Sequence, residues 1–190
     1  MDGTDFRILE PSPFSKKWFS HKFKGPGLRY EIAVGIQLGH IVWTNGPFPA
    51  GIPDINIFRS SLKDKLVEGE RVEADKGYRG EPTKIDLPQE NTGGSEDQVR
   101  SKARARSRHE TMNARLREWG VLRTTFRHKI NRHRGIFRAI IVLSQIKIEN
   151  GHPLFNVTYL TLSFKPIIVD DPIEVEKEDD GEHSVLDEDE

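Results

Sequence analysis

Large apolar residues occupy every second position through Leu28, Tyr30, Ile32, Val34 and Ile36. That is the period of a strand with one buried face. Leu38-Gly39 can turn the chain, and residues 40–45 supply a second strand, so the pair reads as a hairpin. Upstream, residues 2–9 begin polar and turn apolar, as a short strand does, and residues 10–27 are rich in Pro, Ser, Lys and Gly and read as a loop. Downstream the period changes. Pro53-Asp54 opens a helix with Asp54 as its N-cap, and Phe58, Leu62 and Leu66 follow at helical spacing. Arg71 to Ala74 reads as another strand, ended by Asp75, and residues 79–97 read as a mobile connection. A long helix is expected over 98–119, with Ala105, His109, Met112, Leu116 and Trp119 on one face and Gly120 as its stop. A last helix is expected over 132–149, with Ile136, Ile140, Leu143 and Ile146 as its buried stripe. Strands first, then strand and helix in alternation, predict an α/β layer with helices packed on a mixed sheet.

Composition adds a partner class. The 190 residues carry 29 basic and 30 acidic side chains, but 12 of the acids and only one base, Lys177, fall between Asp170 and Glu190. Residues 1–169 therefore hold 28 basic against 18 acidic residues, about +10, and the tail is about -11. A basic body implies a polyanionic partner, and an acidic block of this kind is expected to be a solvated, disordered tail, or a shield for the basic surface. Two domains are read: residues 1–169 as the folded unit and 170–190 as the tail. With no cysteine, disulfides and thiolate metal sites are excluded, and a reducing compartment, cytosol or nucleus, is expected. No apolar run approaches the roughly 20 residues of a membrane span.

Three acids stand out by position: Asp2 at the start of the first strand, Asp75 at the end of another, and Glu110 beside the apolar stripe of the long helix. Strand ends on one edge of an α/β sheet are where sites are built. Carboxylates are the ligands that hard divalent cations require. Singly, each has a plainer explanation: a turn cap for Asp75, or a helix salt bridge for Glu110 after Arg100, Arg104, Arg106 and Arg108. Asp5 competes with Asp2, and because residues three apart in a strand face opposite ways, only one can face the site. Between Ser95 and Arg138 there are 13 Lys/Arg against four Asp/Glu, a surface suited to tracking phosphates without reading sequence. The stretch Arg127-His128-Lys129-Ile130-Asn131-Arg132-His133-Arg134 is the part read as DNA-contacting. His109, His128 and His133 are read as DNA-proximal or structural, and Trp18 and Trp43 as packing residues.

Four segments in order carry a family resemblance: Asp2-Gly3-Thr4; Pro53-Asp54-Ile55-Asn56-Ile57-Phe58-Arg59-Ser60-Ser61; Ala74-Asp75-Lys76-Gly77-Tyr78; and the Arg/His-rich approach to Glu110 followed by Leu116 and Trp119. Asp75 and Glu110 have 34 residues between them. Over residues 2–150 the chain resembles the DDE superfamily endonucleases, the PIF/Harbinger and insertion-sequence-like DDE transposases. The resemblance implies an RNase H-like fold and a metal-dependent DNA nuclease and strand transferase, hence a nuclear transposable-element enzyme. It also implies that Asp2, Asp75 and Glu110 bind two divalent ions, Mg²⁺ or Mn²⁺. Arg127, Lys129, Arg132 and Arg134 are then expected at DNA, with a homo-oligomer or a separate DNA-binding chain as further partners. The alternative is a catalytically silent, transposase-derived module that binds DNA or protein. Members of the group carry a DNA-binding region ahead of the catalytic domain, and here the chain begins one residue before Asp2, so the fold is expected to be N-terminally truncated. Asp2 is accordingly expected to be poorly held, and residues 1–190 alone to cleave DNA weakly or not at all.

Overall fold

The computed structural model describes residues 1–88 and 96–158. Its centre is the hairpin that the alternation predicts: β3 (Gly25–Val34) pairs antiparallel with β4 (Ile41–Pro49) and also with β1 (Asp2–Arg7) and the two-residue β2 (Phe19–Ser20). Asp2 stands opposite Ile32 and Arg7 opposite Gly27. The remaining elements are α1 (Asp54–Arg59), β5 (Val72–Glu73), β6 (Ile85–Asp86), α2 (Glu96–Glu118), α3 (Gly120–Arg123) and α4 (Ile130–Glu149). Among the described residues, parallel pairing is confined to β5 with β6 and to an isolated bridge between Ile8 and Phe126. The described residues thus form a mixed α/β fold with a small sheet and four helices, compatible with an RNase H-like DDE domain.

Strand period sorts the core. Thr4, Phe6 and Ile8 on β1 and its extension, with Leu28, Tyr30 and Ile32 on β3, share one face. Their apolar members pack against Met112 and Leu116 of α2, Leu122 of α3, and Phe137, Ile140 and Ile148 of α4. Phe137 lies over Tyr30 with ring centroids 3.8 Å apart. The odd-numbered residues Gly3, Asp5, Arg29 and Glu31 face the other way, toward α1. A second, smaller cluster (Phe58, Leu62, Ala74, Tyr78 and Ile85) packs there.

Several local expectations are corrected. Pro53, not Asp54, is the N-cap of α1. Asp54 is its first helical residue, and its carboxylate turns to Arg29 Nη1 at 3.1 Å. Gly120 does not stop the helical path; it opens α3 after Trp119. On α4 the buried residues are His133, Phe137, Ile140, Ser144 and Ile148, while Leu143 and Ile146 are about half exposed. The connection over 79–97 contains β6, which pairs with β5, and the loop over 10–27 contains β2 and the start of β3. The long helix's arginines form no salt bridge to Glu110 among the described residues. Three of them instead grip main-chain carbonyls of the segment after α4: Arg104 bonds Asn156 O, Arg108 bonds Phe155 O, and Arg115 bonds His152 O and Pro153 O. Leu154 and Val157 are buried beneath that grip. Residues 89–95 and the acidic tail at 170–190 lie outside the described residues.

Candidate active site

Asp2, Asp75 and Glu110 line one cleft of about 210 Å³, together with Lys22, Glu73, Arg106, Arg108 and His109. Each acid arrives on a different element. Strand alternation turns Asp2 toward α2, where Asn113 Nδ2 donates to its Oδ2 at 2.9 Å. Thr4 Oγ1 in turn donates to Asn113 Oδ1 at 2.6 Å, so the amide is oriented by the same strand it serves. Lys22 reaches Asp2 Oδ1 at 3.6 Å and donates to Gly3 O. Asp2 is therefore held by the ladder to Ile32 and by Asn113, and the expectation of a poorly held first acid is not met. The amino group of Met1 donates to Glu73 O at 2.7 Å, which ties β1 to β5 at the cleft.

Asp75 follows β5 as a turn cap: its Oδ1 accepts from Gly77 N at 2.9 Å at the start of the Lys76–Tyr78 turn. The plain explanation is true of one oxygen, and the side chain still faces the cleft. Glu110 is exposed on α2 one turn before Asn113, and among the described residues no hydrogen bond or ion pair engages it. Asp5 is absent from the cleft. Its oxygens are buried on the opposite face of β1, bonded by Arg29 Nε at 2.7 Å and Arg29 Nη2 at 3.0 Å, and by Ser20 Oγ at 2.5 Å.

Beneath the cleft the polar groups are buried and acidic. Burial pushes the Glu31 carboxyl up to about 7, against the opposing hydrogen bond from Trp43 Nε1 at 3.0 Å. Burial also raises Asp54, and Arg29 opposes the rise. His109, from the long helix, bonds Ile32 O through Nε2 at 2.8 Å, and burial drives its pKa down to about 4. It is a neutral structural group at the cleft wall. His133 is wholly buried in the aromatic core and shares a hydrogen bond with Tyr30 Oη at 2.8 Å.

The cleft's donors are hard carboxylate oxygens, the type a divalent cation takes. Among the described residues, however, no three Asp, Glu or His side chains stand as a ready-made ion-binding group. Two polar residues of the cleft, Glu73 and Lys22, escaped the sequence reading, as did Asn113, which bonds Asp2. Asn113 was in principle visible, three residues after Glu110 and so on the same helical face. Glu73 was not, because a two-residue strand ending two positions before Asp75 carries no signal of direction. The four basic residues read as DNA-contacting, Arg127, Lys129, Arg132 and Arg134, are all exposed and lie away from the cleft. They follow Phe126, which bridges to Ile8, and Ile8 is about 20 Å along the strand from Asp2 at roughly 3.3 Å per residue.

No described helix is long and apolar enough to cross a membrane. No curated protein and no solved structure matches the chain. The family model for the DDE superfamily endonuclease matches residues 1–145. With that match covering about three quarters of its length, the chain belongs to the DDE superfamily endonuclease family.

Proposed function

We propose that the chain is the catalytic domain of a transposon-derived DDE transposase, a metal-dependent DNA endonuclease and strand transferase that works in the nucleus. The observation that carries this reading is the meeting of Asp2, Asp75 and Glu110, from a strand, a turn and a helix, on one cleft. Family membership supplies the chemistry: domains of this kind act on DNA and use divalent metals. Asp2, Asp75 and Glu110 are the residues that would hold two Mg²⁺ or Mn²⁺ ions. When bound, such ions activate the attacking oxygen and stabilise the leaving one in an in-line phosphoryl transfer. Asn113 fixes the rotamer of Asp2. Lys22 and Arg106, at the cleft wall, supply positive charge where a strand's phosphates would enter. Arg127, Lys129, Arg132 and Arg134 hold flanking duplex at the other end of β1. A homo-oligomer or a separate DNA-binding chain is the further partner this reading expects.

The second reading, a silent DNA- or protein-binding module, has in its favour that among the described residues no three acids already stand as an ion-binding group. Titration with Mn²⁺ separates the two. The enzyme reading expects saturable binding that weakens at least about tenfold in Glu110→Gln, a loss on the order of 1.4 kcal/mol. Binding that is absent, or indifferent to Glu110→Gln, supports the silent module.

A further inference from the structure

Asp54 lies close to both acid-bearing segments without lining the cleft. It opens α1 yet caps nothing: Pro53 is the N-cap, and no side-chain cap bond forms. Its carboxylate lies instead against two glycines, each beside a cleft acid. A methyl group built on Gly3, the residue after Asp2, would overlap Asp54 Oδ1. One built on Gly77, in the middle of the turn that Asp75 caps, would meet Asp54 Oδ2 at 3.0 Å. Only residues without a Cβ let the carboxylate approach both backbones this closely. Arg29 braces it from the centre of the sheet. Nη1 pairs with Asp54 Oδ1 at 3.1 Å and donates to Ile52 O at 2.8 Å, while Nε and Nη2 hold Asp5 of β1. The Arg29 and Asp54 side chains are about 9% and 14% exposed, so the pair is shielded from solvent; among the described residues it is an ion pair without a hydrogen bond to Asp54 Oδ1.

We propose that Asp54 is a positioning residue: braced by Arg29, its carboxylate sets the spacing between the strand that presents Asp2 and the turn that presents Asp75. Alternation makes this possible. Gly3 faces α1 where Asp2 faces α2, so Asp54 supports the strand from behind without entering the cleft. The inference rests on the reading of Asp2 and Asp75 as metal ligands.

The experiment is Mn²⁺ binding to the full chain, followed by loss of the free-ion electron paramagnetic resonance signal. Native, Asp54→Asn, Gly3→Ala and Asp75→Ala chains are compared below every variant's melting transition. Asp54→Asn keeps the shape and removes the pairing charge. Gly3→Ala keeps every charge and displaces the carboxylate by its methyl group. Both are expected to lower Mn²⁺ affinity about tenfold, as loss of a group that orients metal ligands does, and Asp75→Ala to lower it further. A merely structural Asp54 would lower the melting temperature and leave affinity unchanged. Native affinity in both Asp54→Asn and Gly3→Ala, with Asp75→Ala weakened, overturns the positioning role alone. Native affinity in all three variants overturns the metal reading of the cleft along with it.

Discussion

Buried neutral histidines give this chain an acid-sensitive core. His133 packs among Phe6, Tyr30 and Phe126, and burial lowers its pKa from the usual 6.5 to about 4. The unfolded chain takes up a proton as pH falls through about 6.5, whereas the fold resists until about 4, so between those values the unfolded state binds more protons. Stability is therefore full above about pH 6.5, falls as pH drops toward 4, and loses nothing more from this group below that. The contribution at stake is on the order of 3 kcal/mol. Urea unfolding across this range should show the decline, which His109 adds to and the raised Glu31 carboxyl opposes, and His133→Gln should remove most of it. An equal slope in His133→Gln would remove this residue from the account. The sequence reads His133 as DNA-proximal or structural; the helical phase it shares with Phe137 and Ile140 buries it, while its neighbours Arg132 and Arg134 stay exposed. Asp54 was misread as an N-cap. Pro-Asp is a common helix start, and nothing local to it announces Arg29 across the sheet. Asp2 against Asp5 was posed correctly by strand alternation, but the choice of face needed Asn113 on one side and Arg29 on the other.

At the scale of elements, the sequence was clearest where one face is apolar and the other polar. In β3 the alternation Leu28, Tyr30, Ile32 names the core face residue for residue. On α4, Ile136, Phe137, Ile140, Ile141, Val142, Leu143, Ile146 and Ile148 encircle more than one face, so periodicity alone could not phase it. The observed stripe runs through Phe137, Ile140, Ser144 and Ile148. The two-residue strands β5 and β6 are too short to show a period at all. In α2 the arginines look like a solvated or DNA-facing row, yet Arg108 is only 2% exposed. Its guanidinium serves Gly35 O at 3.2 Å, Ile36 O at 2.5 Å and Phe155 O at 2.9 Å. It joins the turn after β3, the long helix and the segment after α4. Arg108→Ala leaves those carbonyls without their charged donor and should cost about 3 kcal/mol, read by chemical denaturation. Arg108→Lys should recover little, because an ammonium cannot span three acceptors set for a planar fork. A loss under about 0.5 kcal/mol, the size of an ordinary surface change, would contradict this role.

Across the whole molecule, charge and cleft divide the work. The acids gather where β1, the turn after β5 and α2 meet, and the exposed arginines at the start of α4 sit beyond the other end of β1. A duplex bound by both would lie along the strand direction. Replacing Arg132 and Arg134 by Ala should therefore weaken DNA binding and reduce the slope of log K against log salt by about one unit per lost phosphate contact. An unchanged slope would place the DNA elsewhere. The central claim is narrower: Asp2, Asp75 and Glu110 form one metal-dependent catalytic set. Asp2 is paired to Ile32 in the ladder and bonded by Asn113. The most direct measurement is nicking of supercoiled plasmid in Mn²⁺ by the native chain and by Asp75→Ala. The account expects nicking by the native chain, stopped by chelation of the metal, and at least a hundredfold slower in Asp75→Ala, about 2.7 kcal/mol of barrier. Nicking that continues undiminished in Asp75→Ala, or none by the native chain at any Mn²⁺ concentration that saturates it, would contradict the account.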